Sequence, residues 1–99
     1  MDHPADEPRA FISYAHAESE IAVAVQQALE ARGWHVFRDV PSIEPGEPLP
    51  QTISAAIDDA ELFLPLISDA YRDSPACRHE LNQALMRRFN GDEVRVVFR

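Results

Sequence analysis

The sequence predicts an α/β fold built on a parallel sheet, and three observations predict it. Short apolar segments alternate with longer stretches whose apolar residues recur at helical spacing. One short segment, Leu62 to Ile67, is apolar almost throughout, as strands covered on both faces are. No internal repeat or low-complexity tract interrupts the alternation. Each strand–helix–strand step therefore reads as a right-handed β-α-β crossover.

The elements follow in order. Residues 1–9 are acidic, carry Pro4 and Pro8, and read as a disordered lead; residues 10–99 read as one domain. Ala10 to Tyr14 is a compact apolar run and the first strand. Glu18 to Arg32 is a helix with Ile21, Val25, Ala28 and Leu29 on its inner face. Glu18 and Glu20 suit its positive N-terminus, and Gly33 suits its end. His35 to Asp39 is the second strand. Val40 to Pro50 holds Pro41, Pro45, Gly46, Pro48 and Pro50 and forms a shaped loop, after which Ile53, Ala56, Ile57 and Ala60 mark the inner face of a second helix. Leu62 to Ile67 is the third strand, with a local irregularity expected at Pro65, which has no N–H for a ladder. A helix from Pro75 to about Phe89 ends at Asn90-Gly91, and Val94 to Phe98 is the fourth strand. That last strand is left with a bare edge, which invites pairing. A continuation of the chain or a partner is the expected remedy.

Composition narrows the class of function. A net charge of -8 gives no basic face for phosphates, so direct nucleic-acid binding is not expected. The single Cys77 excludes an internal disulfide and fits a reducing cytoplasm. The acidic start is the opposite of a secretory leader, and no apolar run is long enough to span a membrane. Gly33, Gly46 and Gly91 form no G-x-G-x-x-G turn, which argues against a hydride-transferring dehydrogenase. A phosphoacceptor receiver domain would need an acidic pair after the first strand, where Tyr14-Ala15-His16 stands.

The segment Ser74-Pro75-Ala76-Cys77-Arg78-His79-Glu80 carries the chemistry. Ser74 is a good N-cap and Pro75 fits the first helical position, where no N–H is needed. Cys77, Leu81, Ala84 and Leu85 repeat as the buried stripe, and Glu80 falls beside it, near the carboxyl end of a strand. Cys77 and His79, two apart on a helix, point to different faces, so with His16 they make no metal site.

Four segments in order resemble one family. Phe11-Ile12-Ser13-Tyr14, with Ala15-His16, is similar to the first box of Toll/interleukin-1 receptor (TIR) domains. Asp39, then Ile43-Glu44-Pro45-Gly46, Leu49 and Ile53, resembles the family's BB loop and the helix after it. Leu64 to Ser68 resembles its third strand, and Ser74 to Glu80 its S-x-W-C-x-x-E segment. The resemblance implies a flavodoxin-like parallel sheet with helices on both faces, here with four strands and the usual fifth missing, so a C-terminally incomplete domain.

In its bacterial enzymatic members the family cleaves NAD between nicotinamide and ribose; other members are assembly scaffolds. For this chain the resemblance implies an NAD glycohydrolase switched on by oligomerisation in bacterial immunity. A sensor domain elsewhere in the full protein would do the switching. NAD is then a substrate, and no resident cofactor or metal is expected.

Nicotinamide leaves as a neutral molecule, so no acid need protonate it and one carboxylate suffices to stabilise the oxocarbenium-like ribose. Glu80 is that residue, against the alternative of a solvated helix carboxylate. Tyr14 and Ala15 leave the first strand where such sheets bind ligands; Tyr14 either stacks on the substrate or is a core aromatic. The loop around Glu44 and Gly46 borders that end as a lid or is ordinary loop. Asp39 is a substrate contact or a cap, and Cys77 lines the site or is a small buried hydrophobe. Ala76 stands where the family has Trp, a departure that favours the scaffold reading.

Overall fold

The computed structural model describes residues 8–39, 47–91 and 95–96. Four strands, β1 (Arg9–Ser13), β2 (His35–Arg38), β3 (Leu62–Pro65) and β4 (Arg95–Val96), pair in one sheet in the order β2-β1-β3-β4, all parallel. The helices among the described residues are α1 (Ser19–Glu30), α2 (Gln51–Asp59), the four-residue α3 (Asp69–Arg72) and α4 (Pro75–Phe89). The expected parallel α/β sheet is present. The expectations for residues 1–7, for Glu44 and Gly46, and for both ends of the fourth strand lie outside the described residues.

Side-chain alternation along β1 divides the core. Phe11 points to the face covered by α2 and α4, where Ile53, Ile57, Ala60, Phe63 and Ala84 meet it. The register sets Phe11 opposite Phe37 on one side and Phe63 on the other. The three rings stack across the strands at 5.4 and 5.5 Å between centroids. Ile12 and Tyr14 point to the opposite face, against Ala22, Leu64 and Leu66 under α1.

The structure corrects several expectations. β1 begins at Arg9, and Pro8 already accepts a hydrogen bond from His35 N–H at 2.8 Å, so the ordered domain starts before Ala10. The inner face of α1 is Ala22, with Val25 and Leu29 half-buried, whereas Ile21 is 54% exposed and Ala28 is exposed. A 3₁₀ turn at His16–Glu18 precedes the helix. Small Ala22 then sits where α1 approaches the sheet. The stripe on α4 is likewise Ala76, Cys77, Glu80 and Ala84, with Leu85 turned outward, so Glu80 lies within the stripe.

Pro65 is the last residue of β3. Leu66 N–H bonds Ser13 O at 2.9 Å. Alternation then directs the nitrogen of Pro65 away from β1 to the β4 side, past the last described pair, Phe63 with Val96. No ladder bond to β1 is lost there. The strand simply stops two residues short of Ile67.

Candidate active site

Strand order turns at β1 and β3: from β1 the chain goes outward to β2, then returns to β3 on the other side. Sheets of this order bind ligands beside the carboxyl ends of those two strands. Ser13 ends β1 at that point, and the chain leaving β3 supplies Ser68 and α3. The Ser68 hydroxyl accepts from Tyr71 N–H at 3.1 Å and caps the first turn of α3. It donates in turn to Glu18 Oε1 at 2.9 Å. One residue past α3 and its Asp73 cap, Ser74 caps α4 by accepting from Cys77 N–H at 3.2 Å.

These caps bring Glu80 under the sheet's carboxyl edge. It is 1% exposed, a burial carboxylates seldom tolerate without a partner. Ser13 Oγ donates to its Oε1 at 2.5 Å, and Ser13 Oγ lies 2.8 Å from Tyr71 Oη. Oε2 has no hydrogen-bond partner among the described residues. Burial raises the Glu80 pKa from 4.5 to about 8. The Ser13 hydrogen bond opposes that rise, and the charge of Asp39 adds to it. Burial also holds the Tyr71 phenol above its ordinary range and pushes the Cys77 thiol up to about 11, so both stay protonated near neutrality. Cys77 is thus a buried, protonated thiol beside the carboxylate.

The other anticipated residues divide. Ala15 is buried with Tyr71 and Cys77, close to the network. Asp39, exposed just after β2, reaches Glu80 through its charge. Tyr14 lies on the α1 face, 5% exposed. Its hydroxyl accepts from Arg38 Nη1 at 2.9 Å, and that guanidinium stands 5.9 Å from the ring centroid. The structure therefore places Tyr14 behind the sheet from Glu80 and not with it, because successive strand residues face opposite ways. Ala76 is buried beside the carboxylate on α4. Among the described residues no group of His, Cys, Asp or Glu is placed to hold a metal, and no helix is long and apolar enough to cross a membrane.

Sequence reasoning missed Ser13 and Tyr71 as members of the site. Ser13 could have been found as the one polar residue in the apolar run Ala10 to Tyr14. Tyr71 had no comparable signal, since α3 is too short to show periodicity.

Fold and site together define a flavodoxin-like α/β domain with a buried carboxylate at its topological switch point. A family model for the TIR domain matches residues 10–98, and the chain belongs to that family. It is 38% identical over 87 residues to NAD(+) hydrolase ApTIR from Actinoplanes sp., the alignment covering 79% of this chain and 12% of that protein. The fold matches the TIR domains of the activated Roq1 resistosome, solved as it recognises the pathogen effector XopQ. That match has a TM-score of 0.75 and 22% identity over 92% of this chain and 55% of the other. A TIR domain of the Toll-related receptor TRR-2 from Hydra magnipapillata gives a TM-score of 0.70 and 19% identity, over 90% of this chain and 66% of the other.

Proposed function

We propose that this domain cleaves the nicotinamide–ribose bond of NAD, with Glu80 as the catalytic residue. The observation that carries the reading is a buried carboxylate at the β1–β3 switch point with one oxygen held and the other without a described partner. Likeness to an NAD(+) hydrolase supports it. As the bond breaks, positive charge develops on the ribose, and an ionised Glu80 in a water-poor site stabilises it strongly. The raised pKa keeps Glu80 largely neutral near pH 7 in the unliganded protein. The positive pyridinium of an arriving NAD favours the charged form. Substrate therefore ionises the residue that acts on it.

In this reading Ala15, Cys77 and Asp39 adjoin or influence the carboxylate that meets the substrate, and the family resemblance extends the proposal to Glu44 and Gly46 as further substrate contacts. A carboxylate this enclosed needs its surroundings to part before substrate arrives. We assign that opening to assembly with further copies in the cytoplasm, under a sensor elsewhere in the full protein, as in an immune effector. A pure scaffold is the second reading. The exposed apolar side chains of Leu85, Met86 and Phe89 at the end of α4 favour it.

The test is nicotinamide release from NAD by concentrated protein with a crowding agent, read by chromatography beside Glu80→Gln. Nicotinamide from the wild type and none from the variant supports the enzyme. No release from either, with both folded and assembled, supports the scaffold.

A further inference from the structure

The two oxygens of Glu80 are unlike, and Ser13 and Tyr71 make them so. A serine hydroxyl carries one hydrogen. That hydrogen goes to Glu80 Oε1, so the 2.8 Å contact between Ser13 Oγ and Tyr71 Oη requires the phenol as donor. Tyr71 is itself buried and keeps its proton. The donation order is Tyr71 to Ser13 to Glu80. The three residues come from α3, β1 and α4, three elements fixed by separate caps and pairings. Deepening the NAD-cleaving reading, on which it rests, we propose that Ser13 and Tyr71 are positioning residues that hold Glu80 Oε1, favour the ionised carboxylate and leave Oε2 for the ribose.

The groups facing Glu80 make this assignment sharp. Asp39, following β2, disfavours the charge, and burial disfavours it more. Tyr71 from α3 and Cys77 from α4 stay protonated, and Glu18, before α1, acts on Cys77 and is held by Ser68. The Ser13 hydrogen bond is the contribution that favours the carboxylate. Hydrogen bonds to charged groups are strong enough for its removal to move the titration midpoint up by about one pH unit. The rate at pH 7 then falls about tenfold and recovers well above the midpoint. Tyr71→Phe keeps the Ser13 contact but removes the donor behind it, so its shift has the same sign and a smaller size.

The experiment is a pH profile of nicotinamide release for the wild type, Ser13→Ala and Tyr71→Phe. Alongside it runs an infrared titration of the Glu80 carboxyl, identified as the band absent from Glu80→Gln. We expect both midpoints to move upward together, furthest in Ser13→Ala, with Ser13→Thr restoring them. Coincident midpoints in the wild type and Ser13→Ala, or a loss of rate equal at every pH, would overturn the proposal. Should Ser13→Ala not fold, an unmoved midpoint in Tyr71→Phe overturns it instead. A wild type that releases no nicotinamide but whose infrared midpoint shifts in the variants overturns the NAD reading and supports the hydrogen-bond assignment.

Discussion

The two faces of β1 solve opposite problems. On the α1 side, Ile12 and Tyr14 meet Ala22, Leu64 and Leu66, and the Tyr14 hydroxyl is satisfied by Arg38. On the other side, Phe11 sits in an aromatic stack, yet two residues on Ser13 faces Tyr71 and Glu80. An apolar residue in place of Glu80 would pack there without leaving a buried carboxylate oxygen that has no partner among the described residues. A sequence that keeps a buried acid where an Ala or Leu would serve the fold better has given up stability locally, and such places mark function.

The largest expected effect breaks this contrast outright. Glu80→Gln is expected to reduce nicotinamide release to background and yet to stabilise the fold at high pH. The folded pKa, about 8, lies above the ordinary 4.5, so the native state binds the proton more tightly than the unfolded chain. Stability is therefore full below about pH 4.5 and declines as pH rises through 8, by on the order of a few kcal/mol. The amide in the variant does not titrate, so thermal melts of variant and wild type should diverge between those values, with the variant melting higher at pH 9.

Phe11→Ala, on the same face but in its apolar half, should lose about 3–5 kcal/mol by opening a cavity between Phe37 and Phe63. Denaturant midpoints measure it. Tyr14→Phe removes one acceptor of Arg38, which keeps its bond to Gln26 Oε1, an expected loss of about 1 kcal/mol. Its nicotinamide release should stay near wild type. A much larger loss of activity would return Tyr14 to the substrate site and remove the distinction between the faces. Smallest of all, Phe89→Ser, at a side chain 87% exposed, should change stability by less than about 0.5 kcal/mol. Sedimentation of the same variant asks whether that apolar end of α4 holds a second copy.

Much of this was legible in the chain because local rules and tertiary packing agree. Ser74 and Pro75 announced α4, Ile53 and Ile57 marked the buried face of α2, and Leu62 to Leu64 announced β3. Glu80 stood out through its distance from a cap. What sequence could not give was rotation. The apolar spacing of α1 puts Ile21 inward, whereas the packed helix buries the small Ala22 against the sheet and exposes Ile21. The hydrogen-bond donor to Glu80, Ser13, lies 67 positions away, and only the packing of α4 against the sheet brings the two together. For Tyr14 the alternation rule was available, since Ser13 and Tyr14 cannot share a face. Nothing in the chain said which of the two faces held Glu80.

The central place of β1 has a consequence for how the molecule is made. Of the described strands β1 comes first in the sequence, and it pairs on both sides, with His35–Arg38 and with Leu62–Pro65. As the chain emerges, Ala10 to Ile12 has no ladder to join until β2 appears, and its second edge stays open until β3 follows. Those are long-range closures, which fold slowly and leave apolar strand exposed meanwhile. The strand that ends in Ser13 thus has its two edges covered only after β2 and β3 have formed.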